Sequence, residues 1–358
     1  MRVEHLTARG FRNLAHLARA VPPSGVALLG ANGQGKTNLL EAVCYPVLYR
    51  SFRGAPDAEL VGFGGPGFHV GVTGTDETGA EFAVVATYHA AARKKVVSVD
   101  GEERPRVTTA VGRFLAVAFL PADVTLASGA AAPRRQYLDR MLALADPRYL
   151  AALGRYRAAL AQRNGALRAG RLDVARAFDP ALAVAGATIV ATRLAWVKAV
   201  ADRFPAELEA IGESAPVALA YEGRPELADL LAWEAALAAA AKTDAARKMT
   251  TIGPQRDDLC VTVGGRALRD YGSTGQQRSG AIALKLLELD TIGAARGTEP
   301  VLLLDDVFAE LDRDRQRRLA HRVLSAGRQV LVTAPRRDEL PRELDLPVWE
   351  VQAGVVSS

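Results

Sequence analysis

Gly30-Ala31-Asn32-Gly33-Gln34-Gly35-Lys36-Thr37 fits G-x-x-x-x-G-K-[ST] at every fixed position, and nothing else in the chain limits its fold so strongly. The octet lies between the apolar run Val26-Ala27-Leu28-Leu29, which reads as a short buried strand, and a segment from Lys36 to Tyr49 that reads as a helix. A strand, a glycine-rich turn and a helix N-terminus in that order make a cradle for phosphate. The glycines let backbone N–H groups close in, and the helix points its positive end at the anion. Gly30, Ala31, Asn32, Gly33, Gln34, Gly35, Lys36, Thr37 and the following Asn38 are therefore candidate nucleotide-binding residues. In this reading Lys36 neutralises the β and γ oxygens of ATP and Thr37 ligates Mg2+.

A second apolar strand carries acids at its end. Val301-Leu302-Leu303-Leu304 has the character of a central parallel strand, and Asp305-Asp306 follow at the carboxyl edge, where α/β sheets bind ligands. It reads as a Walker B element: Asp305 holds Mg2+ directly or through water, and Asp306 orients or polarises the attacking water. Lys36, Asp305 and Asp306 are thus the candidate catalytic residues, with Thr37 and Asp305 the metal ligands. A third element, Ser273-Thr274-Gly275-Gln276-Gln277-Arg278, precedes a helical run from Ala281 to Ile292. A serine N-cap, a glycine that admits close backbone approach and a free helix tip make a second phosphate surface without a lysine. Ser273, Gly275 and Gln276 join the candidate cofactor-binding residues.

The chain of 358 residues, 49% of them apolar, suits two domains with sizeable cores. From about Phe68 to Val107 polarity alternates around Thr75-Asp76-Glu77-Thr78-Gly79 and Asp100-Gly101, as antiparallel hairpins require. After Phe114 to Leu120 the composition turns to Ala, Leu and Arg at helical spacing until about Ile211. The expected fold is α/β, with mixed parallel and antiparallel structure. An ATPase domain spans residues 1–121 and 250–358, and a mostly helical domain, residues 122–249, is inserted. Only Cys44 and Cys260 are present, both expected in the core, and the five histidines lack ligand spacing, so a metal should arrive with a ligand. Apolar runs are broken before the length of a membrane span and Met1-Arg2-Val3-Glu4-His5 begins no signal peptide, which leads us to expect a cytoplasmic protein without a membrane partner.

The net charge of +5 leans toward an acidic partner, and its distribution is more telling. Between Arg134 and Arg176 there are ten arginines against three acids, several at near-helical intervals. Part of one face could track a phosphate backbone, with further contacts from the turn Arg93-Lys94-Lys95. Arg134, Arg135, Arg155, Arg163, Lys94 and Lys95 are the candidate DNA contacts; the alternative is a solvated arginine-rich face. No zinc finger, homeodomain or RNA-recognition signature is present, so DNA binding would be sequence-independent.

Ser273 to Arg278, about thirty residues ahead of Asp305, resembles the ABC signature motif, and Glu310-Leu311-Asp312 matches the D-loop. Gly10-Phe11-Arg12-Asn13-Leu14, Arg50-Ser51-Phe52-Arg53, Pro133-Arg134-Arg135 with Leu138-Asp139, and Gly253-Pro254-Gln255-Arg256-Asp257-Asp258-Leu259 resemble motifs of the RecF family of ABC-type ATPases. Gln255 departs from the family pattern, where histidine is expected, and Thr333-Ala334 stands where a switch histidine would follow Walker B. The resemblance implies that the signature of one subunit meets the γ-phosphate held by another, making ATP the glue of a homodimer. It places Arg12 and Asn13 near the base and phosphates, although these two equally suit an edge-strand cap. It further implies weak ATPase activity, a clamp on duplex or gapped DNA that helps load a recombinase, and RecR and RecO as partners. A transporter's nucleotide-binding subunit and an ATP switch acting on proteins are the alternatives.

Overall fold

The computed structural model describes residues 1–357 and resolves two compact units. The first comprises Met1–Asp123, Ala210–Gly212 and the chain from Glu288 onward; the second comprises Val124–Glu209 and Glu213–Leu287. In chain order the first unit begins with β1 (Arg2–Phe11), β2 (Leu14–Ala20), β3 (Gly25–Leu29), α1 (Lys36–Leu48), β4 (Gly67–Thr75), β5 (Glu81–His89), β6 (Lys94–Val99), β7 (Glu102–Glu103) and β8 (Ala116–Phe119). There follow α2 (Thr125–Ser128), α3 (Ala131–Ala145), α4 (Pro147–Arg168), α5 (Leu172–Arg176), α6 (Asp179–Val200), α7 (Arg203–Ala210), β9 (Val217–Glu222), α8 (Leu230–Arg247), β10 (Asp258–Val263), β11 (Arg266–Ala267), α9 (Leu268–Tyr271) and α10 (Thr274–Arg296). The chain ends with β12 (Val301–Leu304), α11 (Arg313–Leu324), β13 (Val330–Ala334), β14 (Val348–Gln352) and β15 (Val355–Ser357).

Within the first unit one sheet is antiparallel, β2-β1-β4-β5-β6-β7, and the other, β15-β14-β3-β13-β12-β8, is parallel except at β15. The difference is written in the side chains. Every residue of β3, β8, β12 and β13 is buried, as strands covered on both faces must be. β5 instead alternates between buried and partly exposed residues. Helix α1 packs on β1 and β4 of the first sheet and on β8 and β13 of the second, which explains why it is apolar nearly all round. Tyr45 on α1 meets Phe11 and Phe68 edge-on at 5.9 and 5.3 Å, so it serves the core.

The second unit is built on α3, α4, α6 and α8, with the antiparallel sheet β11-β10-β9. Trp233 of α8 is fully buried and its indole N–H donates to Leu227 O at 2.7 Å. Only a glycine fits opposite: a Cβ at Gly186 of α6 would come within 2.2 Å of the Trp233 ring. Segments far apart in the chain converge here. Arg134 pairs bidentately with Asp258 at 2.7 and 2.8 Å, Arg135 donates to Asp257 O at 2.9 Å, and Arg193 joins Asp139 (2.7 Å) to Pro254 O (2.8 Å). Gln255 accepts from the Tyr156 hydroxyl and donates to Ile252 O, so it has a structural set of partners.

Several sequence expectations need correction. Arg134 and Arg163 are each 3% exposed, and their guanidinium groups are held inside by Asp258 and by Asp179 and Asp244, respectively. Desolvated, paired arginines do not reach a phosphate backbone. Lys95 is drawn inward likewise, donating to Asp57 (2.8 Å), Tyr49 O (2.6 Å) and the Tyr45 hydroxyl (3.2 Å). Arg155 and Lys94 are exposed and Arg135 is half-buried. Cys44 and Cys260 are half-buried and joined in no disulfide, rather than core residues. The helical stretch Leu172–Val200 is long and apolar enough to cross a membrane, contrary to the reading of broken runs; more than half of its most apolar window is buried, as in a core helix. Helix α10 starts at Thr274, several residues before Ala281, because its first turn is capped.

Candidate nucleotide site

The parallel sheet brings the two acid- and glycine-bearing segments together at its carboxyl edge. β13 lies between β3 and β12, so the chain leaving β3 toward Lys36 and the chain leaving β12 toward Asp305 flank the end of a single strand. Thr37 Oγ1 donates to Asp305 Oδ1 at 2.9 Å. Thr333, on the intervening strand, also donates to Asp305 Oδ1 (2.9 Å), accepts from the Asp306 N–H (2.9 Å) and lies 3.3 Å from Asp306 Oδ1. The threonine that stands where a switch histidine would follow Walker B is therefore a bridge between both acids. Asp305 is buried, which raises its carboxyl above the ordinary range; the hydrogen bonds from Thr37 and Thr333 pull the other way, and the charge of Asp306 adds to the rise. Asp306 has φ 48°, a left-handed backbone that aspartate enters more readily than most side chains and that marks the sharp turn after β12.

The loop from Gly30 to Gly35 is open where an anion would enter. Ala31, Asn32 and Gly33 are exposed, and α1 has neither a side-chain cap nor an acid in its first turn, so nothing local competes for its leading amides or repels negative charge. Gly35 adopts φ 110° with Asn13 packed against it; a Cβ there would fall 2.6 Å from the Asn13 amide. Lys36 is buried and its ammonium donates to Gly30 O (2.6 Å) and Ala31 O (3.2 Å), curled over the loop it belongs to.

A network that residue spacing did not reveal supports this loop. Arg12 and Asn13 form the two-residue turn between β1 and β2, with Arg12 at φ 54°. Asn13 donates to Gln34 O (3.2 Å) and accepts from Asn38 (2.8 Å). Arg12 donates to both oxygens of Glu41 at 3.0 and 3.3 Å. Glu41 is fully buried on α1; Arg53, 3.6 Å away, and the Ser51 hydroxyl complete its shell, as a buried carboxylate requires. From the far end of the chain, the turn between β14 and β15 presents Ala353 N–H to Gln34 Oε1 (2.7 Å) and Gly354 N–H to Gln34 O (2.8 Å). The register of β14 beside β3 aims that turn at the loop, and no local sequence signal announces it.

Ser273, Gly275 and Gln276 belong to the second unit, at the tip of α10. Ser273 Oγ accepts from Gln276 N–H (3.2 Å) and Gln276 Oε1 accepts from Ser273 N–H (3.0 Å), a reciprocal capping box. Ser273, Thr274 and Gly275 are exposed and no acid lies in the first turn. Asp312, in the segment likened to a D-loop, caps α11 by accepting from Asp314 and Arg315 N–H.

No protein-family model matches the chain. The DNA replication and repair protein RecF of Anaeromyxobacter sp. (strain Fw109-5) is 36% identical over 370 aligned residues, covering 100% of this chain and 99% of the relative. RecF of Frankia alni is 37% identical over 378, with 99% of each covered. A solved structure of the recombination mediator protein RecF-ATP in the RecFOR pathway matches with a TM-score of 0.90 at 28% identity, covering 99% of this chain and 96% of that one. The Smc head bound to the C-winged helix domain of ScpA shares the fold, with a TM-score of 0.59 at 15% identity. The architecture is that of an ABC-type P-loop ATPase with a mostly helical insertion. With such identity held from end to end, the chain belongs to the RecF family of DNA replication and repair proteins.

Proposed function

We propose that the chain is an ATP-dependent DNA clamp of recombinational repair, acting in the cytoplasm, in which ATP joins two copies head to head over duplex or gapped DNA. The observation that carries this reading is the meeting of Thr37 and Asp305 at 2.9 Å beneath an open glycine loop. A hydroxyl and a buried carboxylate are hard oxygen donors of the kind Mg2+ prefers, and a cation there would relieve the charge that burial penalises in Asp305. Gly30 and Gly35 hold backbone conformations in which a Cβ would strike Val351 O or the Asn13 amide, so the loop keeps its shape only with glycine there, and Lys36 exchanges loop carbonyls for β and γ oxygens. Mg2+, when bound, screens phosphate charge and supports the developing negative charge of hydrolysis. Asp306 orients the attacking water while Thr333 holds both acids in place. Ser273, Gly275 and Gln276 of a second copy supply uncharged donors to the same γ-phosphate.

Hydrolysis is slow and stimulated by DNA, consistent with a timer rather than a pump. Arg12 and Asn13 act on the nucleotide chiefly by shaping the loop, since their polar atoms hold Glu41, Gln34 and Asn38. DNA is gripped through its phosphates by Arg155, Lys94 and Arg135, all at least partly accessible. By kinship with proteins of the RecFOR pathway, RecR and RecO are the partners that use the clamped complex to load recombinase. Binding to gapped duplex DNA, measured with and without ATP across a salt series, tests the reading: affinity should fall steeply with salt and rise with ATP. No DNA affinity in either condition would leave a protein-directed switch or a transporter subunit.

A further inference from the structure

Helix α8 turns an apolar edge outward. Leu230 and Leu231 are 48% and 81% exposed, and Ala238, Ala241 and Ala245 continue the edge at helical spacing. With Pro180 and Ala183 of α6, the leucines and the first two of these alanines line a cavity of about 690 Å³. A second cavity of about 170 Å³ adjoins it, bordered by Leu172 and Ala245, and Arg163, Arg176 and Ala241 border both. The combined groove follows α8 from Leu230 to Ala245, about 22 Å at the rise of a helix, or roughly four turns. Its small-residue floor would let another helix approach closely, and exposed apolar surface of this extent marks an interaction site.

The charges around the groove are unequal. Arg163 is neutralised by Asp179 and Asp244 at 2.7 Å each. Arg176 and Lys242 are exposed and have no ion pair among the described residues; both border the smaller cavity at the Ala245 end, Arg176 at its junction with the larger one. Glu234 lies toward the Leu231 end. We propose that this groove receives an amphipathic α-helix of a partner protein, apolar along one stripe and acidic at the end lying over Arg176 and Lys242. The apolar stripe provides affinity and the basic end sets the direction of docking. The site lies wholly within the second unit and uses none of the residues assigned to nucleotide or DNA.

The test uses the full chain and three fluorescent helical peptides about five turns long. One carries leucines at i, i+3, i+7 and i+10 with glutamates clustered at one end; one has the same composition shuffled; one has lysines in place of the glutamates. By anisotropy the first should bind at least about tenfold more tightly than the others, and Leu231→Asp or Ala241→Arg should weaken it by at least about tenfold. Because Leu231 is 81% exposed, its substitution should leave the thermal midpoint unchanged, which separates a docking defect from unfolding. Equal binding of the shuffled or lysine peptide, no binding of the first, or indifference to Leu231→Asp would overturn the proposal. So would nucleotide-free self-association of the chain that Leu231→Asp abolishes, since the groove would then belong to a second copy.

Discussion

At Thr333 one hydroxyl holds the two acids that follow β12, and the bonds it makes are buried or nearly so. Thr333→Val keeps the shape and removes the hydroxyl, leaving Asp305 short of a donor and the Asp306 amide without its acceptor. About 1–3 kcal/mol of stability should be lost, visible in urea unfolding, and calorimetry should show weaker Mg-ATP binding. Arginines separate in the same way by what they touch. Arg163→Gln strips the fully buried Asp244 of its charge partner, leaving it only the Thr251 hydrogen bonds, and should cost about 3–5 kcal/mol while leaving the DNA affinity of the folded protein unchanged; Arg155→Glu should do the opposite. Adjacent aspartates differ in sign with pH. For Asp258, burial alone would raise the carboxyl, but the Arg134 pair outweighs it and holds it below 3.8, so its stabilisation is present above that value and lost as pH falls through the lower native one. For Asp257, burial wins despite the Tyr221 hydrogen bond, so its contribution is greatest below 3.8 and lost as pH rises through the raised native value. Asp257→Asn should therefore diminish the loss of stability between mildly acidic and neutral pH, read from urea midpoints.

Among the elements, α10 carries the most specific expectation. Its tip is built by Ser273 and Gln276 capping each other, so Ser273→Arg both removes a cap and places a bulky side chain at the exposed tip proposed to meet the γ-phosphate. The variant should bind ATP as a monomer and fail to dimerise, as seen by light scattering. In α6, Gly186→Leu should unfold the second unit by displacing Trp233, reported by the fluorescence of that buried indole. Elements with strong local patterns were readable before folding: β3 and β12 from unbroken apolar runs, α1 from the glycine turn before it, the hairpins β4 to β6 from alternation and turn residues. Contacts set by tertiary register were not. Nothing near Gln34 announces that residues 353 and 354 will clasp it, or that Thr333 will stand between β3 and β12. The basic cluster misled in part because arginine spacing is blind to partners: Asp258 and Asp244 lie 124 and 81 residues from the arginines they neutralise.

For the whole molecule, the two proposed phosphate-binding half-sites fall in different compact units, the glycine loop in one and the tip of α10 in the other. On the proposed reading, a triphosphate bound by the first and completed by a second copy's α10 would make association depend on nucleotide, with apparent dimer stability rising with ATP concentration by mass action. In the proposed clamp, DNA would bind a surface that only the dimer completes. The decisive measurement is sedimentation of the full chain at high concentration with magnesium and a non-hydrolysable ATP analogue, beside Lys36→Ala and Ser273→Arg. The wild-type chain should move from monomer to dimer on adding nucleotide and both variants should remain monomeric. A wild-type chain that stays monomeric under those conditions, or a Lys36→Ala chain that dimerises as readily, would contradict the account.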